Sequence, residues 1–207
     1  LFDCCTGLQK SDAGRVLLAG TDITLWPMNR IAREGRLLRS YTHLGTGNYH
    51  ARNARLYTDF GLLTCDAAIG RDVRTVFQQL TSLGQPGRLK HMLQSPFTLH
   101  TTLLKWIARE TDRARQGKPA HIIAKMNALL EPQIIRALYK ASQAGVKIDL
   151  IVRGPCALRP GIAGLSEHIR VRSIIGRFLE HSRIFYFLND GDDRVFLSSA
   201  DWMDRNF

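Results

Sequence analysis

Apolar positions recur along this chain at two spacings, and the spacings divide it into elements. Leu99, Leu103, Trp106, Ile107 and Glu110 follow the three-and-four rhythm of one helix face. Ser95-Pro96 precedes them as a start signal with proline at the first helical position, and Gly117 with Pro119 closes the helix. "AHIIAKMN" (120–127) reads as a strand. "EPQIIRALYKASQAG" (131–145) reads as a helix stopped by Gly145, and "VKIDLIVRG" (146–154) as a buried strand. Strand, helix and strand on short links predict a βαβ unit and so an α/β fold. "HIRVRSII", "HSRIFYFLN" and "DRVFLSS" add three strands.

The first part of the chain is less regular. Residues 1–32 show no clear periodicity and contain no histidine. "GRLLRSYTHLG" (35–45) predicts a strand ending in a glycine turn, and "LYTDFGLLTCD" contains another. Asp66 is placed to N-cap a helix whose apolar side is Ala67, Ile69, Val73, Val76, Phe77 and Leu80. "SLGQPGR" (82–88) is a loop and a candidate domain boundary. One echo stands out: "THLGTGNYHARN" (42–53) and "VFLSSADWMDRN" (195–206) each end a strand, turn through small residues and reach an Asn-bearing segment. A duplication of this kind would bring both turns to one cleft.

The 207 residues suit one large domain or two small ones, and a 44% hydrophobic content is enough for a core. No apolar run is long enough to span a membrane and no signal-peptide pattern opens the chain, so a soluble protein is expected. A first residue of Leu suggests a fragment. The net charge of +11 changes the picture more, because it favours a polyanionic partner. Its cations are mostly Arg, whose planar fork suits phosphate, although a GC-rich coding sequence gives the same bias. Cys4, Cys5, Cys65 and Cys156 lack zinc spacing and read as reduced structural thiols.

Five features carry candidate chemistry. In the strand holding His181, that residue, Arg183 and Phe185 share one face, while Ser182, Ile184 and Tyr186 share the other. An imidazole beside a guanidinium suits phosphoryl transfer; a polar surface strand is the alternative. Arg153 falls at the C-terminal end of a parallel strand, where open α/β sheets bind ligands, or is an ordinary exposed arginine. Gly45, Gly47 and Asn48 suit a backbone nest for an anion, or a plain tight turn. His43 is either catalytic or an orienting group. Tyr57 either reaches a phosphate or packs in its strand.

"YTHLGTGNYHARNARLYTDFGLLTCD", "AKMNALLEPQIIRALYKASQAGVKIDLIVRG", "RFLEHSRIFYF" and "VFLSSADWM" closely resemble the C-terminal half of the type-one bacterial polyphosphate kinases, over about residues 33–207. The resemblance implies two phospholipase D-like half-domains, with mixed sheets flanked by helices and truncated at both ends. It divides the chain into a divergent segment 1–32, a first half 33–91 and a second half 92–207. It implies reversible transfer of the ATP terminal phosphate to inorganic polyphosphate, through a phosphohistidine and with Mg2+. Tyr57 and Arg153 match residues that contact nucleotide phosphates. His181 matches a second essential histidine that contacts ATP and acts as acid. His43 matches a histidine that is important but not phosphorylated.

The phosphorylated histidine of the family would fall near Thr24–Pro27, where this chain has none, and the family's magnesium-binding arginines lie further upstream. The expectation is therefore a fragment without its nucleophile, inactive alone, holding no metal ligands. ATP, ADP and polyphosphate are the expected partners, with no nucleic acid, and the full-length protein is expected to be a homo-oligomer. Its expected place is the cytoplasm, with attachment at the periphery of the inner membrane as a variant. A phospholipase D-like phosphodiesterase and a non-catalytic polyanion-binding module remain as alternatives.

Overall fold

The computed structural model describes residues 17–18, 20–27, 30, 40–81 and 87–207. The chain divides into two compact units, Leu1–Ser40 and Tyr41–Phe207. In the first, β1 (Leu17–Leu18) and β2 (Thr21–Asp22) pair as a short hairpin through Gly20, whose φ is +81°. Thr24–Pro27 lies in a turn where the Trp26 N–H reaches the Ile23 carbonyl at 2.9 Å. Most of the expected divergent segment and residues 35–39 of the expected strand lie outside the described residues.

The second unit is built on a five-stranded sheet. Its strands are β6 (His121–Met126), β7 (Lys147–Val152), β8 (Ile169–Arg172), β10 (Arg183–Phe187) and β11 (Arg194–Ser198), in the order β11-β10-β6-β7-β8. β6, β7 and β8 are parallel, while β10 and β11 are antiparallel to their neighbours, so the sheet is mixed as expected. Alternate side chains of β6, β7 and β10 are buried, including Ile122, Ala124, Met126, Ile148, Leu150 and Phe185. Two helices, α3 (Leu99–Arg115) and α4 (Pro132–Gln143), cover that face with Leu103, Ile107, Ile134 and Leu138. α4 is the crossover of the βαβ unit. Glu131 caps it, accepting from the Gln133 and Ile134 N–H groups at 3.1 and 2.6 Å.

Residues 41–81 form a smaller layer. β3 (Thr42–Gly45) pairs antiparallel with β5 (Gly61–Thr64), and α1 (Ala51–Ala54) lies between them in sequence. β4 (Tyr57–Thr58) leaves this pair to join β9 (Leu179–Glu180). The expected strand through "LYTDFGLLTCD" is thus two strands with different partners, broken at Asp59–Phe60. α2 (Ala67–Thr81) is capped by Asp66, which accepts from the Ala68 and Ile69 N–H groups at 2.8 and 2.9 Å.

Three more expectations need correction. Ala67, Phe77 and Leu80 of α2 are exposed, the last two at 62% and 75%. What α2 buries instead is Asp72, which gathers the N–H groups of Lys90, His91 and Met92. α3 begins at Leu99, not at Pro96. Gln94 to Thr98 form a turn in which the Gln94 carbonyl accepts the Thr98 N–H at 2.7 Å and the Thr98 hydroxyl accepts the Gln94 N–H at 2.9 Å. β10 begins at Arg183, so His181 stands just ahead of the strand expected to hold it.

Candidate functional site

Two short strands, distant in sequence, bring the candidate chemistry together. β4 runs parallel to β9 with Tyr57 opposite Leu179 and Thr58 opposite Glu180. This register carries the residues that follow each strand, Asp59 and His181, into contact. The His181 N–H donates to Thr58 Oγ1 at 3.2 Å, and the rings of Tyr57 and His181 lie 4.8 Å apart. Both Asp59 carboxylate oxygens stand 3.0 Å from His181 Nδ1. A carboxylate there fixes Nδ1 as the donating nitrogen and sets the ring's orientation. Asp59 also accepts the Thr46 hydroxyl at 2.8 Å.

Asp59 is a member of this cluster that sequence reasoning missed. No local pattern signalled it: the break between β4 and β5 that turns Asp59 towards His181 shows only in the fold. Asp59 also explains Gly47. A Cβ at that position would fall 2.1 Å from Asp59 Oδ2, so only glycine leaves the carboxylate room. The expected anion nest is corrected accordingly. None of Gly45, Gly47 and Asn48 has a positive φ, and the anion filling the turn is the protein's own carboxylate.

Arg183 lies against the His181 ring, its Nη1 3.1 Å from Nε2 and 3.3 Å from Nδ1. It is not a free phosphate ligand as expected. Nε and Nη2 grip Asp201 at 3.1 and 3.0 Å, and Nη1 also donates to the Thr46 carbonyl at 3.2 Å. Thr46 belongs to one copy of the sequence echo and Asp201 to the other, so both turns close on one guanidinium. Burial pushes the Asp201 carboxyl up, but the Arg183 fork and the Asn127 N–H outweigh it and hold the group below its ordinary value.

Arg153 follows β7, as expected, and donates from Nη1 to the Glu180 carbonyl at 2.9 Å, one residue from His181. No carboxylate pairs with it among the described residues. The neighbouring Glu180 carboxylate is taken by Lys125 at 3.1 Å, and Lys125 also donates to the Ser182 hydroxyl at 2.7 Å. The Tyr57 hydroxyl has no hydrogen-bond partner among the described residues. Tyr57, Arg153 and His181 are therefore brought together.

His43 is set apart from them. Its Nδ1 meets the Tyr49 hydroxyl at 2.7 Å, and its ring lies over Gly61, where a Cβ would fall 2.7 Å from Nε2. With Tyr49, Phe60 and His91 it lines a cavity of about 570 Å³ whose lining does not include His181, Tyr57 or Arg153. Among the described residues no group of three or more His, Cys, Asp and Glu side chains is placed to hold a metal. The implied Mg2+ thus finds no ligand set among the described residues. No described helix is long and apolar enough to cross a membrane. Cys65 and Cys156 are free thiols.

Two family models match the chain: polyphosphate kinase C-terminal domain 1 over residues 27–86 and C-terminal domain 2 over residues 92–207. A polyphosphate kinase of Neisseria meningitidis serogroup B is 62% identical over 177 residues, covering 86% of this chain and 26% of that protein. One of Pseudomonas syringae pv. tomato is 64% identical over 176 residues, covering 85% and 24%. The crystal structure of the polyphosphate kinase of Porphyromonas gingivalis superposes with a TM-score of 0.76 at 40% identity, over 82% of this chain and 26% of that one. The chain thus spans about a quarter of the length of the relatives it matches. The fold is phospholipase D-like, as the sequence implied. With both family models matched in order, and a solved relative following the same path, this chain belongs to the polyphosphate kinase family.

Proposed function

We propose that this chain supplies the phosphate-binding and acid side of a polyphosphate kinase, which moves the terminal phosphate of ATP reversibly to inorganic polyphosphate. The observation that carries the reading is the cluster of Tyr57, Asp59, His181 and Arg153, assembled from segments about 120 residues apart in sequence. Arg153 meets phosphate oxygens as a cation held by a neutral carbonyl, and the Tyr57 hydroxyl donates to them. Asp59 orients His181, which in its doubly protonated form gives a proton to the leaving oxygen. Residues 33–91 and 92–207 form the two halves that meet at this cluster; the matching domains, over 27–86 and 92–207, support a division between residues 86 and 92. Mg2+, a cytoplasmic place and a homo-oligomeric full-length protein rest on the resemblance alone.

The phosphohistidine route needs an imidazole nitrogen to take the phosphoryl group as ADP leaves. The cluster does not offer a free one: His181 Nδ1 faces Asp59, its Nε2 lies 3.1 Å from Arg183 Nη1, and the position near Thr24–Pro27 holds no histidine. The chain alone is therefore expected to bind ATP and tripolyphosphate without forming a phosphoenzyme. Calorimetric titration of the chain and of Tyr57→Phe, Arg153→Gln and His181→Ala tests the binding site. Each variant should weaken ATP binding, and unchanged affinity in all three would refute the site. Labelled ATP tests the route. Acid-labile label that persists in His181→Ala and vanishes in His43→Ala would make His43 the nucleophile and overturn this assignment. Binding with no transfer in a reconstituted full-length protein would favour the polyanion-binding module.

A further inference from the structure

The helix-covered face of the sheet carries positive charge that the proposed chemistry does not use. α3 and α4 leave a groove of about 490 Å³ between them. Its floor is apolar, formed by Leu104, Ile107, Ala108 and Ala137, and its rims carry Arg115, Arg136 and Lys140. Ala108 and Asp112 also line a second depression of about 390 Å³, whose cations include Lys105, Arg109 and Lys118. The two form one basic surface. Asp112 lines it and engages Arg115 in an exposed pair at 3.2 Å, which neutralises little, and Asp190 at its edge is taken by Arg113 at 2.9 Å, so the cations remain in excess. Lys105, Lys118, Arg136 and Lys140 are exposed and have no ion-pair partner among the described residues. From Lys105 to Lys118 the helix and its end extend about 20 Å at 1.5 Å per residue.

The shape and charge discriminate between polyanions. A single-stranded nucleic acid would call for open aromatic faces on which bases stack. Neither depression is lined by an aromatic ring. The neighbouring Trp106 packs against Phe187 and Phe196, and Arg109 lies over its ring at 5.4 Å. What remains is a row of cations with a narrow floor, which suits a thin, flexible chain of repeated charge. We propose that this surface is a second binding site for long inorganic polyphosphate, away from the His181 cluster, holding the chain while its end is worked on. The inference rests on the reading of the protein as one that handles polyphosphate.

The test separates the two sites by chain length. Tripolyphosphate is too short to follow the row, whereas a chain of several tens of phosphates spans it. In the full chain, Lys105→Gln, Arg115→Gln, Arg136→Gln and Lys140→Gln are combined, and binding of both ligands is measured against salt. The combined variant should bind the long chain about tenfold or more weakly at 0.1 M salt. Its log K against log salt slope should be shallower by about 3, at roughly 0.7 per lost contact to a flexible strand. Tripolyphosphate affinity should stay at the parental value, which also shows that the variant is folded. If the long chain keeps its affinity and slope, the second site is refuted while the His181 cluster stands. If Arg153→Gln abolishes binding of both ligands in the parent, long-chain binding runs through the cluster, and the second site is again refuted. A single-stranded oligonucleotide of matched charge that binds equally well and is lost equally would make the surface a general polyanion face, against the polyphosphate assignment.

Discussion

Replacing Gly47 with alanine tests the Asp59–His181 contact without touching either partner. The added Cβ would fall 2.1 Å from Asp59 Oδ2 and 2.4 Å from its Cγ, far inside any tolerated contact. The turn cannot retreat easily. The Thr46 N–H holds the Phe60 carbonyl at 3.0 Å, and the Phe60 N–H holds the Thr46 hydroxyl at 3.0 Å. The Asp59 side chain must therefore swing away, losing the Thr46 hydroxyl and His181 Nδ1. Two hydrogen bonds to a charged acceptor contribute at most about 3–6 kcal/mol. Asp59 keeps 24% of its side-chain surface exposed, so water recovers much of that. A net loss of about 1–2 kcal/mol is expected, which lowers Tm by roughly 2–8 °C for a chain of this size.

The specific readout is the His181 ring itself. Nitrogen-15 chemical shifts should report the proton on Nδ1 in the parent and a redistribution between the two nitrogens in Gly47→Ala. Asp59→Ala should produce the same spectral change. If Gly47→Ala leaves the His181 shifts at their parental values while Asp59→Ala moves them, the carboxylate does not need the space that glycine leaves, and the reasoning fails.

Two further outcomes follow from the same geometry. Asp201→Asn should cost about 3–5 kcal/mol at neutral pH, because it leaves the buried Arg183 charge without its carboxylate. The Asp201 carboxyl is depressed in the folded state, so its contribution is present above the unfolded value of about 3.9 and lost as pH falls through the folded one. The parent should therefore lose stability below about pH 4 more steeply than Asp201→Asn in thermal melts, and parallel curves would exclude the mechanism. Gly61→Ala should displace the His43 ring, since its Cβ would fall 2.7 Å from Nε2. Nitrogen-15 spectra should then show the His43 signals moving while those of His181 stay, and movement of both would mean that the two histidines share one site.

What was legible in the sequence was what period and punctuation encode. The βαβ unit from His121 to Val152 was readable because alternation, a Glu-Pro start and Gly145 all agreed locally. The cap at Asp66 was readable for the same reason. The start of α3 was not, because Ser95-Pro96 satisfies a helix-start pattern, yet the Gln94–Thr98 turn claims those residues first. The exposed side of α2 was not either. Its apolar spacing is helical, but spacing does not say what lies opposite, and among the described residues little covers Phe77 and Leu80. Tyr57, Arg153 and His181 were found through motif resemblance and strand position. Asp59 was not, because its role depends on a pairing across 122 residues that no local pattern records.

The charge arrangement of the cluster leaves Arg153, rather than the more suggestive Arg183, without a carboxylate partner among the described residues. Three cations stand near His181: Lys125, Arg153 and Arg183. Lys125 is matched by Glu180, and Arg183 by Asp201, at 3.1 and 3.0 Å. The Arg183–Asp201 pair is well shielded and the Lys125–Glu180 pair partly so, and each carboxylate keeps its cation from turning towards solvent. These pairs hold the frame without a ligand. Arg183 joins the Thr46 turn to the Asp201 turn, and Lys125 joins β6 to Glu180 and Ser182. Arg153 rests on a neutral carbonyl instead, so its position is fixed while its charge is not cancelled. A phosphate arriving beside His181 would meet that charge without first breaking an ion pair. Donors that are held in place beforehand need no reorganisation when charge develops, which is the condition under which electrostatic stabilisation is most effective.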